Sequence, residues 1–227
     1  MRSVSITITN RLSHMGLPSN TSRSSICTII HWANKEDARK SSHVYLKATN
    51  YSDIEWWIIM LSQWNGLYLF EEVNWQLPGM SRFYTDASDW GGSACFGQYY
   101  TYFSWRKDID LTAISIQVRE MFVIVVAMLT FQRLWKRKQL LVETDSQANI
   151  LSVARGACSN PLVHELIKSF ISTQILGSFS LRLVYINTHD NIWADALSRG
   201  DPNVFKEAEK DPKFISPIFP PDFLIIV

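Results

Sequence analysis

The period of apolar and polar positions changes along the chain, and the changes divide it. Residues 1–50 hold few periodic apolar positions and several Ser, Asn and Lys clusters, and Gly16-Leu17-Pro18-Ser19-Asn20 reads as a turn or loop. This stretch is either a poorly ordered leader or carries a helix somewhere in 24–48. A helical period starts at Ser52-Asp53-Ile54-Glu55, where Ser or Asp can cap a helix and Glu55 stands at the capping-box position. Ile54, Trp57, Ile58, Leu61 and Trp64 continue it at helical spacing, and Asn65-Gly66 supplies the stop. Residues 67–73 read as a strand and Leu77-Pro78-Gly79 as the turn that ends this unit.

From residue 81 strands come first and helices after. Residues 82–88 form the first strand, the Gly91-Gly92 turn leads into 93–98, and 99–105 follows with little between, which predicts an antiparallel three-stranded meander. Residues 112–136 are the longest helical segment, with a broad apolar face that includes Ile116, Val123, Ile124, Ala127 and Leu134. Residues 140–144 are apolar enough for a strand buried on both faces, central and parallel to the first. Residues 147–154 and 161–176 read as two helices split by Gly156 and Asn160-Pro161, 181–186 as the last strand and 191–198 as a short final helix. The order β-β-β-α-β-α-α-β-α is a mixed sheet with helices on its faces. Asp201-Pro202 opens a proline-punctuated tail that ends in Phe223-Leu224-Ile225-Ile226-Val227.

Composition narrows this little. The 227 residues suit one ordinary domain with an appendage, or two small ones, and 47% hydrophobic residues with nine Trp argue against global disorder. Charge is more informative by segment than in total. Residues 1–50 carry seven Lys/Arg against two acids, residues 51–80 four acids and no base, and residues 81–200 twelve bases against ten acids. The basic leader is either an arm that touches phosphate or a solvated segment. The run Arg133, Lys136, Arg137, Lys138 is likewise either a contact for nucleic acid or a basic helix end of the kind the dipole favours. Cys27, Cys95 and Cys158 are scattered and lack any CxxC or Cys/His spacing, which speaks against a zinc site and a disulfide framework and for a reducing intracellular setting, cytoplasmic or nuclear. The longest apolar stretch, 121–131, is about half the ~20 residues that cross a bilayer, so no membrane association is expected.

Two short strands end alike, in Phe83-Tyr84-Thr85-Asp86-Ala87-Ser88 and in Val142-Glu143-Thr144-Asp145-Ser146, about 60 residues apart. Aspartate suits a strand interior poorly and is costly to bury without a partner charge or metal. If the strands are adjacent, Asp86 and Asp145 lie side by side. Glu120 replaces an apolar position on the buried face of the long helix, and Asp195 stands between Ala194 and Ala196-Leu197 on the sheet-facing side of the last helix. Each has a plain alternative, a helix cap or a solvated acid. Together, four acids at one end of a sheet repel strongly unless cations neutralise them. Oxygen ligands without Cys or His suit Mg²⁺ or Mn²⁺, and two such ions about 4 Å apart would make a phosphodiesterase site.

These segments resemble a known family. Thr85-Asp86-Ala87-Ser88 with Gly91-Gly92, then Ile116-Gln117-Val118-Arg119-Glu120-Met121, Glu143-Thr144-Asp145-Ser146-Gln147-Ala148 and Asp190-Asn191-Ile192-Trp193-Ala194-Asp195-Ala196-Leu197-Ser198-Arg199, are similar to the ribonuclease H domain of retrotransposon reverse transcriptase polyproteins, DIRS-like or gypsy-type. The resemblance spans residues 81–200; residues 51–80 look more loosely like the connection segment before that domain, residues 1–50 match nothing, and 201–227 are a tail. It implies an α/β fold: a ribonuclease H-like mixed five-stranded sheet, three antiparallel strands plus two parallel, flanked by helices, with a small N-terminal extension. It further implies a metal-dependent endonuclease that cuts the RNA strand of RNA/DNA hybrids, with an upstream reverse-transcriptase domain as a candidate partner. Asp86 would bridge two Mg²⁺ or Mn²⁺ ions, Glu120 and Asp145 would complete one and Asp195 the other, with Ser88, Tyr185, His189 and Asn191 as candidate auxiliary or substrate residues.

Two departures matter. The family's loop histidine falls on Tyr185, with His189 nearby, and no Asp-Asp pair of a polymerase is present. Transposases and integrases of the same fold use a late glutamate that would fall near Ser180, and Glu165 is too early. The alternative is a non-catalytic nucleic-acid-binding or assembly module left by a decayed retroelement.

Overall fold

The computed structural model describes residues 48–63, 81–108, 110–201, 203 and 212–221. The expected leader, the strand at 67–73, the turn at 77–79, the helix stop at Asn65-Gly66 and the apolar end 223–227 lie outside the described residues. These fall into two compact units, one holding helix α1 and the other nearly all of the sheet and its helices.

Helix α1 (Ala48–Gln63) starts four residues before the expected cap. Ser52 and Asp53 stand inside it, because a capping sequence starts a helix only where the residues before it leave the helical region, and Ala48 to Tyr51 do not.

In the second unit the strands are β1 (Ser81–Ala87), β2 (Gly91–Phe96), β3 (Tyr99–Ser104), β4 (Gln139–Thr144), β5 (Ser180–Tyr185) and β6 (Lys213–Phe214). They form one mixed sheet in the order β5-β4-β1-β2-β3-β6. β1, β2 and β3 are the expected antiparallel meander, and β4 and β5 add in parallel beside β1. The sixth strand was not expected: Lys213 and Phe214 pair in parallel with Tyr99 and Tyr100, and two paired residues leave no period for a sequence pattern to show.

The helices of this unit are α2 (Ile116–Trp135), α3 (Gln147–Arg155), α4 (Pro161–Gly177) and α5 (Ile192–Ser198). α2 begins later than the pattern predicts. Asp110 caps a separate 3-10 turn, Leu111–Ala113, and Ser115 then caps α2 by accepting from the Val118 amide. Asn160 accepts from the Leu162 and Val163 amides at the start of α4, whose first residue is Pro161.

Side chains alternate between the two faces of the sheet. Phe83, Ala94, Phe103, Leu140, Val142, Leu181 and Leu183 join residues of α2 and α4 in the main core. α2 is apolar nearly all round because it lies between the sheet, α4 and the tail. Phe219 of the tail stacks against Phe122 and meets Phe103 edge-on, and the Ile218 amide donates to the Thr130 hydroxyl, 3.0 Å. On the other face Tyr84, Cys95, Tyr100 and Tyr102 receive Trp193 and Leu197 of α5. Of the strand-β3 aromatics, Tyr100 and Phe103 are core, while Tyr102 is half-buried and stacked parallel to Tyr100. Gly91 and Gly92 are required by closeness: a side chain at Gly91 would strike the Phe103 carbonyl, and one at Gly92 the Val123 side chain. No helix among the described residues is long and apolar enough to cross a membrane.

Candidate active site

The sheet itself brings the first two acids together. β1 and β4 are parallel neighbours with Phe83 opposite Val142 and Tyr84 opposite Glu143. Carried two residues on, this register sets Asp86 beside Asp145 at the same end of adjacent strands, on the face that carries Tyr84 and α5. Neighbouring strands lie about 4.8 Å apart. Like charges on neighbouring strands disfavour each other's ionised form, which favours proton uptake or a bound cation.

Asp86 is the most enclosed of the four, with 8% of its surface exposed. Burial pushes its carboxyl up to about 6, and the charges of Asp195 and Asp145 push the same way, against a hydrogen bond from Ser198. Glu120, in the second turn of α2, is pushed up to about 7 by burial first and then by Asp145 and Asp86, with a hydrogen bond to Ser146 pulling back. Its Oε2 is buried with no hydrogen-bond partner. Each of the four acids therefore acts electrostatically on at least one other, with Asp86 at the centre.

The two remaining acids are held by local partners. Asp145, just past β4, accepts from the Thr188 hydroxyl at 2.8 Å. Asp195, in the first turn of α5, receives Arg199 through three bonds: Nε to Oδ1 at 3.0 Å and to Oδ2 at 3.1 Å, and Nη2 to Oδ1 at 2.8 Å. With side chains so arranged, no group of three His, Cys, Asp or Glu donors among the described residues is gathered closely enough to hold a metal ion. The donor set still fits a hard divalent cation: oxygen ligands only, two of them buried carboxyls pressed by neighbouring acids, and one buried oxygen without a partner.

A hydroxyl network fixes Asp86. Ser198 Oγ donates to Asp86 Oδ2 at 2.5 Å, and Ser88 Oγ donates to the Ser198 carbonyl at 2.6 Å while accepting from the Trp90 and Gly91 amides. α2 grips the same turn. Arg119 is 9% exposed and donates through Nη1 to the Ser88 carbonyl at 3.1 Å and to Asp89 at 2.7 Å. Trp105 Nε1 donates to that carbonyl as well, at 2.9 Å. Thus the loop after β1 is tied to the helix that carries Glu120 and the helix that carries Asp195.

The auxiliary candidates divide. Ser88 serves the turn, and Asn191, 2% exposed, donates from Nδ2 to the Thr85 carbonyl at 2.9 Å, anchoring the start of α5 to β1. Both are positional. Tyr185, the last residue of β5 and opposite Thr144, is 54% exposed, and His189 is exposed in the 3-10 turn Thr188–Asp190, so both face solvent. The basic run lies at the far end of α2: thirteen residues separate Glu120 from Arg133, about 20 Å of helix. Arg119, Ser146, Thr188, Ser198 and Arg199 carry functions not foreseen one by one. Only Arg199 left a signal, its i, i+4 spacing from Asp195.

No family model matches the chain, and no curated protein matches it. Among solved structures it is similar to the crystal structure of RNase H1 from the halophilic archaeon Halobacterium salinarum NRC-1, at 14% identity and a TM-score of 0.40, covering 56% of this chain and 99% of that one. A likeness of that size carries no functional argument.

Proposed function

We propose that this chain is a divalent-metal-dependent endonuclease that hydrolyses the RNA strand of RNA/DNA hybrids, part of or derived from a retroelement reverse transcriptase. One arrangement supports the reading: the register of β1 on β4 sets Asp86 beside Asp145 at one end of the sheet, and Asp86 also interacts with Asp195 and with Glu120. Asp86 would serve both of two Mg²⁺ or Mn²⁺ ions, Glu120 and Asp145 one of them and Asp195 the other. Bound there, the ions would supply Lewis acidity that activates a water and stabilises the leaving oxygen. The chain's own part is positional. Ser198 orients the Asp86 carboxylate, Arg119 fixes the loop behind it, and Asn191 fixes the helix that presents Asp195. Selectivity for the hybrid would come from 2′-hydroxyls and duplex shape, not base edges.

The test is cleavage of a labelled hybrid by purified protein in Mg²⁺ or Mn²⁺, beside Asp86→Asn and Asp145→Asn. Wild type should cut only the RNA strand, leaving a 3′-hydroxyl, and both variants should be inactive. Equal cleavage by all three would refute the site. The second reading, a non-catalytic nucleic-acid-binding module, is favoured by Tyr185 standing where the family has histidine. It would be established by hybrid binding with a steep salt dependence and no cleavage in either metal.

A further inference from the structure

Asp195 offers both carboxylate oxygens, and one cation of the chain already holds both. Arg199 lies one helical turn on, and its Nε and Nη2 make three bonds to Asp195. The pair sits at the surface, 65% of the Arg199 side chain and 32% of that of Asp195 being exposed. The arginine backbone is fixed: its amide bonds to the Asp195 and Ala196 carbonyls, and the next residue, Gly200, takes the positive φ of 86° that ends the helix. The guanidinium can therefore leave Asp195 with no change in the backbone. Asp86 and Asp89 add to the negative field around the guanidinium where it now sits.

We infer that Arg199 is a latch on Asp195, competing with divalent metal for that carboxylate and, once displaced, holding a phosphate of the nucleic-acid backbone. The inference rests on the reading of Asp195 as a metal ligand. An exposed i, i+4 ion pair shifts an equilibrium only a few-fold, whereas a divalent ion shared with Asp86 binds through two or more carboxylates at once, so the latch yields to metal. The released guanidinium is a planar fork suited to two oxygens of a phosphodiester, in a place otherwise dominated by acids that repel the backbone. The acid cluster thereby keeps a cation near Asp195 in both states, first the arginine and then the metal.

The two halves of the role have opposite signs, and no purely structural role does that. Full-length wild type, Arg199→Gln, Arg199→Lys and Asp195→Asn are compared in two assays. Mn²⁺ binding is followed by electron paramagnetic resonance without nucleic acid, and binding to a labelled RNA/DNA hybrid is measured in Ca²⁺. Arg199→Gln should bind Mn²⁺ about threefold tighter and the hybrid about fivefold more weakly. Arg199→Lys should recover part of the hybrid binding but not the full latch. Should wild type bind Mn²⁺, Asp195→Asn bind it weakly and Arg199→Gln match or fall below wild type, the latch is refuted while the metal site stands. Unchanged hybrid affinity in Arg199→Gln refutes the phosphate contact. If wild type itself binds no Mn²⁺, the metal reading and the latch fall together.

Discussion

Asp86→Asn removes one charge and almost no volume, so it reads how much a buried charge at this position opposes folding. The folded carboxyl is raised from 3.8 to about 6, chiefly by burial and then by Asp195 and Asp145. A group with a raised folded value binds more protons folded than unfolded, so stability is full below the unfolded value and falls as pH rises through the folded one. A shift of about 2 pH units at 1.36 kcal/mol each makes the ionised Asp86 cost about 3 kcal/mol above pH 7 and about 1 kcal/mol at pH 4.5. Asparagine keeps an oxygen to accept from Ser198 and has no charge to desolvate. In chelator at pH 8, Asp86→Asn should therefore melt higher than wild type, by roughly 6 to 12 °C for a chain of this size, and the gap should narrow to a third near pH 4.5. The assay is scanning fluorimetry at both pH values with and without Mg²⁺. Saturating Mg²⁺ should raise wild type and leave the variant unmoved. A variant no more stable than wild type in chelator at pH 8 would refute the claim that Asp86 is ionised at a cost in this buried, acid-flanked position.

Glu120→Gln should behave likewise, with a gain in chelator that shrinks below about pH 7 and vanishes only near about pH 4, below the unfolded value, since its carboxyl is raised from 4.5 to about 7 by burial and by Asp145 and Asp86; the same melts check it. Ser198→Ala deletes the donor to Asp86 and should lose about 1 to 3 kcal/mol by urea titration together with weaker Mn²⁺ binding. Gly92→Ala, which forces a methyl onto Val123 and Phe103, should cost about 1 to 3 kcal/mol in the same titration. Tyr185→His, at an exposed strand end, should raise multiple-turnover hybrid cleavage without raising the single-turnover rate, as measured by quenched flow.

The acids were legible because strand periodicity and their own chemistry disagree. Asp86 and Asp145 each stand at the same point of a repeated Thr-Asp strand ending, and Glu120 interrupts a helical stripe. The order of elements gave parallel neighbours for β1, and the register then put Asp86 beside Asp145. The supports were not legible. Ser198 reaches Asp86 across 112 positions, Ser88 reaches the Ser198 carbonyl across 110, and Arg119 reaches Asp89 across 30. Such pairs exist only after the sheet has formed, and Ser, Arg and Asp read one at a time are ordinary caps and surface residues. The boundary of α2 failed for a related reason: Asp110 and Ser115 are both good caps, and only the chain's path shows that each caps a different turn.

The pairing of Lys213 and Phe214 with β3 also sets an order of assembly. During synthesis β1, β2 and β3 emerge more than a hundred residues before the segment that borders β3. Until residues 213–219 arrive, the growing chain presents Tyr99 and Tyr100 as an open strand edge, with Phe103 and Phe122 lacking the ring of Phe219. Open apolar edges recruit other chains. A chain arrested near residue 211 would carry all four acids and still expose that edge, so it should self-associate more readily than a chain that includes residues 213–219.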